Sequence, residues 1–196
     1  MEPQSIAFSA DLLRRYDQPG PRYTSYPTAP QFNAGFGEGE LRRAAEASNG
    51  DPIPRRLSLY VHVPFCESPC FYCGCNRIIT RDKARGEAYL ARLYREIALT
   101  AGLFDRDREV IQLHFGGGTP NFLSPAQLRD VVDTLRSHFR FSDAADRDIS
   151  IELDPRFVDA DDIAALGKIG FNRASFGVQD FDPAVQEAVN RIQSVE

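Results

Sequence analysis

No apolar run in this sequence approaches the length of a membrane span, and Met1 is not followed by a charged-then-apolar leader. The expectation is a cytoplasmic protein without a membrane span, and a monomer. A basic block is missing as well. Lys and Arg number 23 against 28 Asp and Glu, and the formal charge of -5 comes from interspersed residues, which argues against nucleic acid as a partner. Cysteine is scarce and confined: all four lie between Cys66 and Cys75. Cross-links within ten residues would staple almost nothing, so a disulfide framework is not expected, and free clustered thiols fit a reducing compartment.

What remains can bury one core, because 196 residues with 42% apolar content suit one domain or part of one. Residues 1–56 read as an extended and helical leading segment. Asp11 to Tyr16 fits one or two helical turns stopped by Pro19-Gly20. Prolines 21, 27 and 30 with tyrosines 23 and 26 indicate an extended stretch lying over another surface. Leu41 to Ala47 reads as a short helix ended by Asn49-Gly50-Asp51-Pro52.

Strands and helices alternate over 57–196, which implies parallel βα units. Strands are expected at about 57–63, 110–116, 148–154 and 173–179, with helices at about 83–101, 124–139, 159–169 and 182–192. Ser124-Pro125-Ala126-Gln127 supplies a cap, a proline at the first helical position and a capping-box partner. Asp182-Pro183 repeats the proline signal, and Gly170 stands where a helix-ending glycine belongs.

Alternation within the strands is the most informative pattern. Leu57, Leu59, Val61 and Val63 share a face opposite Ser58, Tyr60 and His62. Ile111, Leu113 and Phe115 oppose Gln112, His114 and Gly116; Ile149, Ile151 and Leu153 oppose Ser150, Glu152 and Asp154. Ala174, Phe176 and Val178 oppose Ser175, Gly177 and Gln179. Parallel strands buried on both sides normally read apolar throughout. A polar or small second face therefore implies a cavity with a polar ligand. Glu152 on that face, if buried, must be paired or hydrogen-bonded, either within the protein or by a ligand hydroxyl or ammonium group.

The first strand runs into Cys66-Glu67-Ser68-Pro69-Cys70-Phe71-Tyr72-Cys73-Gly74-Cys75. Cys66, Cys70 and Cys73 stand in C-x3-C-x2-C register, close enough to serve one metal centre with a position left open. Zinc and buried free thiols are the alternatives, though structural zinc usually takes two separated pairs of ligands. Gly116-Gly117-Gly118-Thr119-Pro120 ends the second strand, where glycine lets backbone approach a ligand closely or simply makes a tight turn.

C-x3-C-x2-C after an apolar strand resembles the radical S-adenosylmethionine (SAM) enzymes. Gly20 to Thr28, Leu59-Tyr60-Val61-His62, Cys73-Gly74-Cys75-Asn76, Gly116 to Pro120 and Gly177-Val178-Gln179-Asp180-Phe181 extend the similarity to the oxygen-independent coproporphyrinogen III oxidases (dehydrogenases). The resemblance implies an α/β fold: a partial (β/α)6 barrel holding about the first four βα units, preceded by the extended segment. It implies that Cys66, Cys70 and Cys73 hold a [4Fe-4S] cluster and that two SAM molecules bind. Tyr60, Tyr72, Gly117, Gly118, Thr119 and Glu152 carry over as SAM contacts, and Gln179 and Arg191 as contacts of the second SAM. Tyr72 stands where the family often has Phe.

The activity implied is oxidative decarboxylation of coproporphyrinogen III propionates to vinyl groups, giving protoporphyrinogen IX in haem biosynthesis. Reduced cluster cleaves SAM to a 5′-deoxyadenosyl radical that abstracts hydrogen from the propionate, with electrons from a donor that the sequence does not identify. Tyr60 and His62 lie beside the cluster loop, whereas an inward His such as His114 is more often a hydrogen-bonded core residue. Cys75 is expected as a neighbour of the cluster, and Arg22 and Arg77 as bidentate partners of propionates. The family continues past Glu196, so an incomplete chain inactive by itself is one alternative. A related haem-binding chaperone is another, although those relatives usually lack the Gly20 to Thr28 segment and Cys-Gly-Cys-Asn.

Overall fold

The computed structural model describes residues 9–17 and 31–194. The Gly20 to Thr28 motif and Arg22 lie outside the described residues. The chain divides into two compact units, Met1–Leu41 and Arg42–Glu196. In the first, α1 (Ala10–Tyr16) starts at Ser9, whose hydroxyl accepts from the Leu12 amide, a side-chain cap for an otherwise orphaned donor.

α2 (Glu38–Asn49) is longer than the 41–47 expected. Its end and residues 50–56, grouped by sequence with the leading segment, belong instead to the second unit, where Arg108 fastens them. This buried guanidinium donates to Ser48, to Asn49 and twice to the Arg55 carbonyl at 2.7–3.1 Å.

The second unit is built on a parallel sheet. β1 (Leu57–Val63), β4 (Glu109–Gly117), β6 (Asp148–Leu153) and β7 (Arg173–Phe176) lie side by side in that order, and short β5 (Arg140–Phe141) pairs with the start of β4. β2 (Phe65–Cys66) and β3 (Ile78–Ile79) form a separate parallel pair. α3 (Ala84–Ala101), α4 (Pro125–His138), α5 (Ala160–Ile169) and α6 (Pro183–Ala188) complete the βα alternation. Ser124 caps α4 in a full capping box with Gln127, and Gly170 ends α5 at φ 113°.

One face of the sheet carries the core. Val61, Val63, Leu113, Phe115, Ile149, Ile151 and Leu153 pack against Leu90, Leu93 and Ile97 of α3, Leu128, Val131, Val132 and Leu135 of α4, and Leu166 and Ile169 of α5. The opposite face keeps Ser58, Tyr60, Gln112 and Glu152 exposed, as period-two alternation requires. The expected faces hold with local exceptions. A register shift sets Leu57 opposite Val110 but Ser58 opposite Gln112. Ile111 is the extra residue of that irregularity, so Val110 is fully buried and Ile111 only partly.

β7 departs further from expectation. It ends at Phe176 instead of 179, and all four of its residues are exposed, including Ala174 and Phe176, whose face helices were expected to cover. α6 is also shorter than 182–192, because Asn190 takes φ 57° and reverses the chain just beyond it. No helix among the described residues is long and apolar enough to cross a membrane.

Candidate active site at the cysteine loop

The loop bearing the cysteines is fastened at its base, flank and tip. At the base, β2 and β3 bring its two ends together, with the Ile78 amide on the Pro64 carbonyl at 2.6 Å and the Thr80 amide on the Cys66 carbonyl at 2.8 Å. On the flank, Lys83 Nζ donates to Glu67 at 2.7 Å and to the Phe122 carbonyl at 3.1 Å. At the tip, Asn190 Nδ2 donates to the Pro69 carbonyl at 2.6 Å and the Phe71 amide to the Val189 carbonyl at 3.2 Å. Reversal at Asn190 is what lets residues beyond α6 reach the loop.

The loop, the glycine turn after β4 and the ends of β6 and β7 enclose a cavity of about 270 Å³. Cys66, Cys70, Cys73, Tyr72, Gly117, Gly118, Thr119, Glu152, Gln179 and Arg191 all line it, as do Cys75 and Arg77. Tyr60 and His62 stand nearby on β1, outside that lining. The cavity lies where ligands of parallel α/β sheets bind, beyond the carboxyl ends of the strands.

Two of the glycines are there for space. Gly117 adopts φ 113°, and a Cβ at Gly118 would meet the Phe65 carbonyl oxygen at 2.8 Å, Pro64 backbone at 2.9 Å and Cys66 Sγ at 3.0 Å. Only a residue without a side chain allows the turn to press against the base of the cysteine loop. Thr119 Oγ1 donates to Cys66 Sγ at 3.4 Å. Burial pushes the Cys66 thiol up, against that hydrogen bond, and burial likewise raises Cys75 and Tyr72.

Among the described residues, no group of three or more His, Cys, Asp or Glu side chains is placed to share a single metal ion. In a four-iron cluster each thiolate takes a different iron, so its ligands need to border one cavity without meeting at one point. Cys66, Cys70 and Cys73, three soft ligands around the same cavity, fit that donor set, and Cys75 borders it as a fourth thiol outside the C-x3-C-x2-C register.

Three placements differ from the sequence reading. Glu152 is not buried: its side chain is 49% exposed, with Oε1 3.3 Å from His114 Nε2. Gln179 lies past the end of β7 at φ 71°, an uncommon conformation for a side-chain-bearing residue. Arg191 follows α6 instead of lying within it, and its guanidinium is engaged, NH1 with Asp154 Oδ2 at 2.5 Å and NH2 with the Gly177 carbonyl. The same NH1 lies 3.8 Å from Cys70 Sγ.

Asp154 and Arg156 were missed. Asp154 is 4% exposed and also receives Arg156, whose NH2 reaches Ser68 Oγ at 3.3 Å. Burial opposes ionisation of Asp154, but Arg156 hydrogen bonds and the charges of Arg191 and Arg156 outweigh it and hold the carboxyl below its usual range. Its place two residues beyond Glu152 on the polar face was the available signal. Arg156 sits in a 3-10 turn (Pro155–Phe157), where no periodicity points to it.

Near β1, Tyr60 OH lies 3.2 Å from His62 Nδ1, and His62 Nε2 lies 2.8 Å from the Asn76 carbonyl. A carbonyl only accepts, so Nε2 carries the proton and Tyr60 donates to Nδ1. Burial, then the charge of Glu152, raises the Tyr60 hydroxyl and keeps it a donor.

These features belong together in one kind of protein. Residues 60–196 match the Radical SAM superfamily, and the chain belongs to it. Oxygen-independent coproporphyrinogen III oxidase of Pseudomonas aeruginosa is 52% identical over 98% of this chain and 41% of its own length. The protein of that name from Escherichia coli is 46% identical over 100% of this chain and 41% of its own. A solved structure of coproporphyrinogen III oxidase from Escherichia coli, described as a Radical SAM enzyme, matches with a TM-score of 0.81 at 45% identity, covering 97% of this chain and 41% of that one. This chain therefore spans about two fifths of the length of those relatives.

Proposed function

We propose that this chain is the cofactor-binding part of an oxygen-independent coproporphyrinogen III oxidase. The observation that carries the proposal is the shared cavity: three thiols in C-x3-C-x2-C register face a glycine turn and Glu152 beyond the carboxyl ends of parallel strands. Cys66, Cys70 and Cys73 would hold the [4Fe-4S] cluster. Gly117, Gly118, Thr119, Tyr60, Tyr72 and Glu152 would hold SAM, with Gln179 and Arg191 toward a second molecule. When bound, these groups supply one-electron cleavage of SAM to a 5′-deoxyadenosyl radical.

The residues of the chain fasten and orient. The glycine turn offers backbone donors and acceptors at close range, and Glu152 accepts from a diol or ammonium group. Tyr60 and His62 tie β1 to the far end of the cysteine loop through the Asn76 carbonyl. Asp154 holds Arg156 and Arg191 beneath the loop. Arg77 lines the cavity with a buried Nε that has no hydrogen-bond partner among the described residues, and a propionate of coproporphyrinogen III would satisfy it. Unchanged porphyrinogen binding in Arg77→Ala would remove Arg77 from this role.

The deciding experiment is anaerobic reconstitution of the chain with iron and sulfide, then EPR of the reduced form with and without SAM. The expected result is a [4Fe-4S] signal that changes when SAM is added. A signal indifferent to SAM, or no cluster at all, overturns the assignment for this chain.

A further inference from the structure

Tyr60, His114 and Ser150 form one row across β1, β4 and β6, because the strand registers set Tyr60 opposite His114 and His114 opposite Ser150. The Tyr60 ring stacks on the imidazole, with centroids 5.8 Å apart and planes inclined by 22°. Ser150 Oγ is 2.8 Å from His114 Nδ1, and His114 Nε2 is 3.3 Å from Glu152 Oε1. Ser150 is buried, and among the described residues the only other hydrogen-bond contact of its hydroxyl is the Leu113 carbonyl at 3.5 Å.

An ionised carboxylate only accepts, which places a proton on Nε2; in the neutral ring Nδ1 is then the acceptor and Ser150 the donor. The chain of donors therefore runs from Ser150 to His114 to Glu152. It engages Oε1 and leaves Oε2 in front of Gly116, where Oε2, Tyr60 OH and His114 Nε2 all lie within 3.0–3.1 Å of the place a Cβ would occupy. The absent side chain makes room for these three polar groups to lie over the strand, and Glu152 lines the cavity, where Oε2 can accept from a ligand hydroxyl.

We propose that Ser150 and His114 are positioning residues that aim one carboxylate oxygen of Glu152 at the nucleoside end of SAM. The proposal rests on the SAM reading of the cavity. A half-exposed Glu has several accessible rotamers, and this donor chain, with the ring held by the Tyr60 stack, selects one before the ligand arrives. His114 itself touches no reacting atom.

The test has one arm without cofactor and one with it. In the chain alone, imidazole nitrogen NMR should show the Nε2–H tautomer for His114, and Glu152→Ala should move those resonances. An Nδ1–H ring, or resonances indifferent to Glu152→Ala, overturns the positioning role. In the anaerobically reconstituted chain, S-adenosylhomocysteine and methionine are titrated calorimetrically. His114→Phe keeps the stack but not the donor, and should weaken S-adenosylhomocysteine roughly tenfold while leaving methionine unchanged. His114→Gln, whose amide can donate to Glu152, should recover most of the loss.

Equal S-adenosylhomocysteine binding by His114→Phe, or a parallel loss of methionine, overturns the proposal. Binding of neither ligand by the unaltered chain overturns the cofactor reading, while the tautomer measurement still decides whether His114 holds Glu152.

Discussion

Asp154→Ala is the perturbation whose consequence follows most directly from the structure. The carboxylate is 4% exposed; it accepts Arg156 Nε on Oδ1 at 3.0 Å, and on Oδ2 Arg156 NH2 at 2.7 Å and Arg191 NH1 at 2.5 Å. The Arg191 side chain is itself only 7% exposed. Removing the carboxylate leaves two guanidinium groups together without the anion they share, and breaking a buried pair in this way costs about 3–5 kcal/mol. With a urea slope of about 2 kcal/mol per molar, the unfolding midpoint should fall by about 1.5–2.5 M.

Arg191→Met added to Asp154→Ala should raise the midpoint again, because it removes one stranded cation. The pH dependence has a definite sign. The folded carboxyl titrates below its usual range, so its contribution is full above the unfolded value and is lost as pH falls through the depressed folded value. Wild type and Asp154→Ala should therefore converge in that acid window. A midpoint shift below about 0.5 M at neutral pH would refute the claim that the cluster of charges is desolvated and mutually dependent.

Gly118→Ala places a Cβ 2.8 Å from the Phe65 carbonyl and 3.0 Å from Cys66 Sγ; it should cost about 1–3 kcal/mol and lower reconstituted iron per chain, read by denaturation and iron analysis on the same sample. Phe115→Ala, at a fully buried position, should lose about 3–5 kcal/mol in urea unfolding, and a loss under about 1 kcal/mol would mean the core is not packed around it. Ser at Cys66, Cys70 or Cys73 should each reduce bound iron well below the level of Cys75→Ser. Equal loss in Cys75→Ser would make it a fourth ligand.

Much of the fold was legible because two local periodicities carry it. Alternation in 57–63 and 148–153 follows from the pleat, and it put Val61, Val63, Ile149 and Ile151 in the core and Tyr60 and Glu152 on the other face. Caps such as Ser124 with Gln127 are satisfied within four residues, so sequence alone specifies them. The end of β7 was not legible, because nothing local distinguishes Phe176 from Val178; pairing with β6 stops there and Gln179 turns to positive φ. The register irregularity that buries Val110 in place of Ile111 likewise depends on the partner strand.

Cysteine spacing, the glycine turn and the inward Glu152 were fixed by the sequence, since each is a short-range pattern of residue types. Tertiary structure alone decided how they meet. It brought Asn190 and Val189 onto the tip of the cysteine loop, more than a hundred residues away along the chain, and engaged Arg191 with Asp154. It also linked Ser150, His114 and Glu152 through the pairing of two strands. Contacts between residues far apart in the chain depend on register and chain reversal, and no periodicity within a single segment encodes either.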